Sequence, residues 1–467
     1  MKRVVIIGGG ISGLSVAWQL YKAGINVTVL EKRSAVGGTM QTIHDDGWLV
    51  ETGPNSALET TPLFRQMCDD LGIESERLYA NDRAKKRYIL RDGRLQSLPT
   101  SPLAFLRSSL WSFNGKLRLL KEPFVGRASV EESIADFVER RLGREFLDYA
   151  INPFVAGVYA GDPKQLSIRS AFPKLYALEE KYGGLIKGMI KGRRERKKRA
   201  EKAKDRAEMF SFVKGMQMFP EAIARHLGDS VLTGIEVKRI SPNKDTTFHL
   251  HVISGEKEEL MTADAVVMTV PAMIAAKLVA PLSESVARGL ESIYYPPVTE
   301  VFLGFRETQI GMPLDGFGFL VPEVERRNIL GTIWSSSLFP GRAPSGFAAL
   351  TTFVGGARQP GLCGLDDRQV VSTVLEELRS IMRIEGEPVY RKITRWDRAI
   401  PQYNLGHHHI IENIERFEAA TPGLFLGGNY RGGISVGDCV MSGERIAQRV
   451  LSHVAIKSHS VGMLSTA

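Results

Sequence analysis

Residues 4–31 read VVIIGGGISGLSVAWQLYKAGINVTVLE. Residues 4–7 are a β-branched run of the kind that forms a buried parallel strand. Gly8, Gly10 and Gly13 follow in G-x-G-x-x-G spacing, residues 14–23 carry apolar side chains at helical intervals, and Gly24 ends the helix. Residues 26–30 form a second strand with Glu31 at its carboxyl end. Gly8 serves the tight turn, Gly10 lets backbone approach a pyrophosphate, and Gly13 lets helix and strand pack closely. The amides at the helix start meet the phosphate charge. Glu31, 18 residues after Gly13, is placed for ribose hydroxyls. The glycine pattern alone is weak; strand, turn, helix, strand and acid in order are strong.

The residues beyond Glu31 bear on which dinucleotide is bound. A second pair, Gly37-Gly38, comes just past the ribose acid and is followed by Glu51-Thr52-Gly53-Pro54-Asn55-Ser56. A domain for NAD alone normally runs straight into its next βα unit here, so the extra glycines suit backbone laid against an extended cofactor. The carboxyl end repeats the pattern, with a strand at 424–426, a Gly-rich turn at 427–433 and a helix at 440–450. A further strand is expected at 265–271. Together these pieces predict one cofactor-binding α/β domain assembled from both ends of the chain.

Composition sets the outer limits. The 467 residues are 43% hydrophobic and 24% charged, which fits two or three ordinary globular domains and excludes disordered and collagen-like classes. The three cysteines, Cys68, Cys363 and Cys439, are scattered and have no metal-ligand spacing, so neither a disulfide framework nor a structural metal site is expected, and a reducing compartment fits. No apolar run nears the ~20 residues that span a bilayer. The chain is expected to begin at Met1 with no cleaved leader. Net charge is +9, and residues 191–206 supply +7 of it from ten basic and three acidic residues. Without interleaved aromatics this run does not read as a nucleic-acid surface. It is either a solvated loop or a patch that meets an anionic membrane. His407-His408-His409 is read as a loop or strand-end surface cluster, since three consecutive side chains of a regular element cannot converge on one ion.

Five further stretches carry a family resemblance: RYILRDGRLQSLPT (87–100), NPFVAGVYAGDPKQLSIRSAFPKL (152–175), FVKGMQMFPEAIARHLG (212–228), GFGFLVP (316–322) and NYRGGISVGDCVMSGERIA (429–447). With the amino-terminal glycines, the sequence resembles the flavin-containing amine-oxidase superfamily and, within it, the protoporphyrinogen oxidases, over essentially its whole length. That resemblance implies non-covalent FAD and a six-electron oxidation of protoporphyrinogen IX to protoporphyrin IX for haem or chlorophyll. It proceeds in three rounds, each moving hydride from a meso carbon to flavin N5. Such chemistry depends on orientation rather than on an acid–base pair, and no catalytic triad or carboxylate dyad is evident in the sequence.

The site residues implied by the resemblance are specific. Arg87 faces a propionate, Phe317, Leu320 and Phe353 pack on the macrocycle, and the backbone of Gly157 approaches the reacting carbon. Read without the family, Arg87 is a surface residue beside Lys85 and Lys86, and the three apolar residues are strand core. Ala156 stands where some animal members carry arginine, which leaves more of the anion binding to Arg87. For the flavin, the resemblance points to Gly8, Gly9, Gly10, Ile11, Ser12 and Gly13, with Glu31, Lys32, Gly38 and Thr39. It adds Gly53, Pro54, Asn55 and Ser56, then Val237, Trp396, Gly428, Ile434, Ser435 and Val436. Trp396 reads equally well as a core tryptophan.

The expected architecture is an α/β FAD-binding Rossmann-like domain built from discontinuous segments at 1–75, 214–290 and 405–455. A β-rich substrate domain takes 76–96 and 291–404, with strands at 294–305 and 347–353. A helical, membrane-facing lobe spans 97–213, periodic around 134–147, and 456–467 is a frayed tail. Partners implied are the porphyrinogen, oxygen or a quinone as electron acceptor, neighbouring tetrapyrrole enzymes, a second copy in a homodimer, and no nucleic acid. The location implied is the cytoplasm, free or peripheral on the inner face of the cell membrane. Coproporphyrinogen III is the alternative substrate. An amine oxidase, a carotenoid-type desaturase or a non-catalytic flavin-binding assembly protein stands further off.

Overall fold

The computed structural model of the chain describes residues 2–191 and 207–464. A five-stranded parallel sheet organises it, in the order Val231–Thr233, Asn26–Glu31, Arg3–Ile7, Ala265–Met268, Leu424–Leu426. Ile7 is in register with Met268, and Met268 with Leu426, so three strands from distant parts of the chain end side by side. Val4 and Ile6 pack beneath the helices Ile11–Lys22 and Val436–Leu464. Val5 and Ile7 pack on the opposite face with the helix Ala272–Val279 and the antiparallel sheet Ile235–Pro242, Phe248–Ser254, Lys257–Ala263. Burial on both faces is why residues 4–7 are apolar without alternation.

A seven-stranded sheet runs Tyr390–Trp396, Val298–Arg306, Phe347–Gly355, Gly331–Ile333, Gly316–Leu320, Lys86–Arg91, Arg94–Ser97. Only the pair Gly316–Leu320 and Lys86–Arg91 is parallel. Val301, Leu303, Phe305, Leu350 and Val354 cover one face with the helix Asp367–Met382. The alternate side chains, including Val298, Glu300, Phe302 and Phe353, point the other way.

Between these sheets in sequence lie helices such as Ile134–Leu142, Asn152–Tyr159 and Pro173–Tyr182. Ser101, Ser112, Ser133 and Ser167 each cap a helix start, accepting a backbone N–H on the side-chain oxygen. A buried ion cluster ties the segment together. Arg141, with no exposed side-chain surface, pairs with Glu122 at 2.7 Å and with Glu179. Among the described residues no helix is long and apolar enough to cross a membrane.

Several boundaries differ from the sequence reading for local reasons. The strand expected at 294–305 begins at Val298, because Pro296 and Pro297 offer no N–H to a ladder. The strand expected at 265–271 ends at Met268; the Thr269 hydroxyl turns back to the Ile7 carbonyl at 3.1 Å. Periodicity around 134–147 is interrupted at Gly143, whose φ of +94° ends the first helix. A π-helical turn, Leu147–Ile151, then leads directly into Asn152–Tyr159. The carboxyl-terminal helix, expected at 440–450, spans Val436–Leu464, so residues 456–464 continue it rather than fraying, with no proline to stop them. The histidine cluster begins the helix His407–Ala420 and is neither loop nor strand end. Apart from Lys191, the basic run 191–206 lies outside the described residues.

Candidate active site

Three glycine segments meet where the parallel strands end. Gly37 donates to the Gly9 carbonyl at 2.8 Å and bridges Gly10, laying the second glycine pair along the first. A Cβ on Gly10 would meet only the Gly38 Cα, at 4.0 Å, whereas one on Gly13 would stand 2.1 Å from the Gly8 carbonyl oxygen. Gly13 is thus a packing glycine, and Gly10 opens a groove walled by backbone. Both oxygens of Glu31 accept backbone amides, Oε2 from Gly9 at 2.7 Å and Oε1 from Arg33 at 2.8 Å, which fixes the acid at the groove's end. Gly53 packs against Thr39, where a Cβ would stand 2.1 Å from the Thr39 carbonyl. Lys32 is exposed and paired with Glu236 at 3.1 Å, and Val237 is buried on the same strand as Glu236.

The carboxyl-terminal loop reaches the groove because the helix Ile11–Lys22 packs directly on Val436–Leu464; a Cβ on Gly443 would stand 2.6 Å from the Ser15 Cβ. Gly428, at φ +122°, turns the chain beside Thr269. Ile434, Ser435 and Val436 lead into the helix, with the Ser435 hydroxyl bonded to Asp438 at 2.6 Å. Side chains absent from the sequence reading hold this loop. The Tyr403 hydroxyl donates to the Asn429 carbonyl at 2.6 Å and accepts from the Gly433 amide at 3.0 Å. Arg431 pairs with Glu418 at 2.9 Å. Arg431 lay inside a quoted motif, but nothing local marked Tyr403 or Glu418. The Trp396 indole donates to the Thr52 carbonyl at 2.6 Å, tying the seven-stranded sheet to the Gly53–Ser56 stretch.

The helix Asn152–Tyr159 lies against an apolar face of the seven-stranded sheet, with Gly157 on Leu320. Arg87, Ile89 and Arg91 lie on one side of their strand, with Tyr88 and Leu90 in the opposite core. Lys85 pairs with Asp82 and Lys86 with Asp315, but among the described residues Arg87 has no carboxylate partner. Its guanidinium stands 5.8 Å from the centre of the Phe317 ring. Gly318, at φ +135°, breaks the alternation of its strand, so Phe317 and Phe319 fall in different clusters. Leu320 contacts Gly157, and Phe353 packs beside Ala156, Val298 and Leu330. Leu320 is in register with Gly331 and Gly331 with Phe353, so the structure brings Gly157, Leu320 and Phe353 together on this face, with Arg87 and Phe317 further along their strands.

Buried charge also accumulates at the seven-stranded sheet. Glu51, Glu300 and Arg342 are all less than 5% exposed. Burial, opposed by bonds from Thr42 and Met216 and by the charge of Arg342, pushes the Glu51 carboxyl up to about 7. Burial and the charge of Glu51 push Glu300 well above the carboxylate range. His407, stacked on Tyr403 at 4.3 Å, is pushed down to about 4 by burial and is neutral. His408, His409 and Glu412 lie within 4.8 Å of one another, but Arg169 stands 3.8 Å from Glu412 and opposes a cation there.

A parallel sheet with a glycine groove, an acid at its end and a second, largely apolar sheet face beside it fit a flavin-dependent oxidoreductase. The model of the flavin containing amine oxidoreductases matches residues 11–451. Protoporphyrinogen oxidase 2 of Arabidopsis thaliana is 34% identical over 97% of this chain and 94% of its own length. Coproporphyrinogen III oxidase of Bacillus subtilis is 32% identical over 97% and 98%. A crystal structure from Exiguobacterium sp. 255-15 superposes with a TM-score of 0.80 at 24% identity, covering 96% of this chain and 98% of that one. The chain belongs to the flavin-containing amine oxidoreductase family, in the branch that holds the porphyrinogen oxidases. Its cofactor is FAD, and the groove fits it: a backbone-walled channel at Gly10 and Gly38 that any Cβ would narrow, with Glu31 at one end and the Gly428 turn at the other.

Proposed function

We propose that this chain oxidises protoporphyrinogen IX to protoporphyrin IX, removing six electrons in three rounds. The observation that carries the reading is an apolar sheet face with Arg87, which has no carboxylate partner among the described residues, beside it, in a chain that matches porphyrinogen oxidases nearly end to end. FAD, when bound, supplies the acceptor for the electron pair of one meso C–H bond in each round. The protein's part is orientation. Arg87 takes a propionate in a bidentate grip, Phe317, Leu320 and Phe353 cover the macrocycle, and Gly157 lets backbone come close to the reacting carbon. Gly8 through Gly13, Glu31, Lys32, Gly38, Thr39, Gly53 through Ser56, Val237, Trp396, Gly428 and Ile434 through Val436 hold the cofactor. Oxygen or a quinone removes the electrons.

The division of labour follows the sheets: the parallel sheet carries FAD, the seven-stranded sheet carries substrate, and the helices between Pro102 and Lys191 form a lobe that rests on a membrane. Exposed apolar side chains support that last role. Leu103, Leu106, Phe113, Leu120, Phe124 and Ile190 are each at least 57% exposed, all within one stretch of helices. A poorly soluble product makes such a contact useful, and the placement is peripheral, on the inner face of the cell membrane.

The test adds each porphyrinogen separately, in air, to FAD-loaded protein and follows porphyrin fluorescence against an enzyme-free control. Turnover of the proto form is expected. Coproporphyrinogen III is the second reading, favoured by the Bacillus relative. Its four carboxylates want more cations than Arg87 alone, since Arg91 is tied to Glu145 at 2.9 Å and Ala156 carries no charge. Preference for the copro form would reverse the assignment.

A further inference from the structure

The helix Asn152–Tyr159 turns two faces to its surroundings. Asn152 and Ala156, one helical turn apart, are buried, while Phe154, Gly157 and Val158 are exposed, Gly157 against Leu320. Asn152 opens the helix directly from the π-helical turn, and its side-chain amide is engaged at both atoms. Oδ1 accepts the Glu323 backbone N–H at 2.9 Å and Arg358 Nη1 at 2.8 Å, and Nδ2 donates to Glu323 Oε2 at 3.1 Å. Arg358 donates through Nη2 to the Val321 carbonyl at 3.2 Å. Val321 and Glu323 follow just after Leu320 at the end of its strand, and Arg358 follows the strand that carries Phe353. One carboxamide therefore joins the helix of Gly157 to the strands of Leu320 and Phe353.

The far end of the helix is held by the same loop. The Ala160 carbonyl accepts the Ala357 N–H at 2.7 Å, and a Cβ on Gly356 would stand 2.6 Å from that carbonyl oxygen. The Tyr159 carbonyl accepts from Gln402 Nε2 at 2.8 Å. Residues 356–358 thus grip both ends of a helix eight residues long. Two such anchors fix its roll about its own axis. Helix Cα atoms lie about 2.3 Å from the axis, so a roll of about 25° would carry the Gly157 Cα about 1 Å across the sheet. A misplacement of about 1 Å at a reacting centre is enough for a rate loss of about 100-fold.

Resting on the porphyrinogen reading, we propose that Asn152 is a positioning residue for the oxidation. Clamped by Glu323 and Arg358, it sets the roll of the helix and so the approach of the Gly157 backbone to the reacting carbon. It acts through Gly157. Arg87 and the apolar face of the sheet lie outside the clamp, so its loss is felt in the rate of flavin reduction rather than in substrate affinity.

The test uses the full FAD-loaded chain and the variants N152A, N152D and N152D/E323Q, with flavin absorbance and a thermal melt confirming that each is folded and loaded. Anaerobic flavin reduction by protoporphyrinogen IX is followed against substrate concentration. In N152A the limiting rate is expected to fall about 30-fold while the half-saturating concentration stays within about threefold. N152D sets a second carboxylate against Glu323 and is expected to be as slow. The double variant returns that bond with donor and acceptor exchanged, and its rate is expected to recover to within about threefold of native. The exposed pair of Glu323 with Lys164, at 3.5 Å, is a small loss in that exchange. An N152A rate within about twofold of native, a change in half-saturation as large as the change in rate, or no recovery in the double variant overturns the proposal. Native protein that the porphyrinogen fails to reduce overturns the porphyrinogen reading instead. The clamp is then still read by hydrogen exchange without substrate: amides 154–160 are expected to exchange faster in N152A and to slow again in the double variant, and unchanged exchange overturns it. If N152A does not fold, N152D and the double variant decide by the same readouts.

Discussion

Gly157 and Leu320 are in direct contact: a Cβ on Gly157 would stand 2.5 Å from the Leu320 Cδ2. Gly331 crowds the same methyl, with a Cβ there reaching 3.1 Å. Leu320 is therefore held from two sides by residues that lack side chains, and the helix Asn152–Tyr159 sits as close to the sheet as backbone allows. Gly157→Ala is expected to displace Leu320 and lower kcat/KM for protoporphyrinogen about 100-fold with FAD retained. Adding Leu320→Ala should restore part of the loss. Steady-state porphyrin fluorescence reads both; unchanged kcat/KM in G157A would remove this contact from the site.

Arg87 differs from the two lysines before it in having no carboxylate partner. If it grips a propionate, Arg87→Ala costs a charge-assisted bond of about 1.5–3 kcal/mol. KM should then rise about tenfold or more while kcat holds, and the melting temperature should not move, since no internal ion pair is lost. Arg87→Lys should recover only part, because an ammonium cannot make the bidentate contact. A fall in kcat with KM unchanged would place Arg87 away from the propionate.

The glycines of the groove separate two roles that sequence spacing cannot. Gly13→Ala puts a methyl 2.1 Å from the Gly8 carbonyl oxygen, so the protein itself should be destabilised and isolated without flavin. Gly10→Ala points its methyl into open space toward Gly38, so the fold should survive while FAD affinity falls. Thermal melts of FAD-free protein and flavin fluorescence titration check this. Equal melting losses in both variants would contradict the assignment of Gly10 to the groove.

The parallel sheet was legible because its strands are buried on both faces and its turns need glycine. Residues 4–7, 26–30 and 424–426 announce themselves through composition alone, and Ile7, Met268 and Leu426 end together as the three glycine segments required. What stayed hidden was any pairing of residues distant in sequence and ordinary in type. Tyr403 stapling the 429–433 loop, Glu418 holding Arg431, and Glu300 facing Glu51 have no local pattern, because their chemistry comes from burial that only the assembled fold creates. Boundaries missed at Pro296 and Gly143 were of another kind: periodicity continued past residues whose backbone does not.

The helical segment should be the acid-labile part of the protein. Burial pushes the Glu179 carboxyl up, but hydrogen bonds from Arg141 and Arg140 outweigh it and leave it below the ordinary value of 4.5. Glu131 and Glu145 are likewise held low by the bonds they accept, against the burial that opposes them. A carboxyl lowered on folding stabilises above its unfolded pKa, and that stabilisation fades as pH falls through the folded one. Melting temperature should therefore drop as pH falls below about 4.5, and hydrogen exchange should open residues 113–191 before the parallel sheet. Arg141→Met gives the same lesion at neutral pH. It leaves Glu122 buried without its ion-pair partner and Glu179 with Arg140 alone, and it should cost about 3–5 kcal/mol in a denaturant melt. If R141M melts like native protein, or if the parallel sheet exchanges first in acid, the ion cluster is not what holds these helices together.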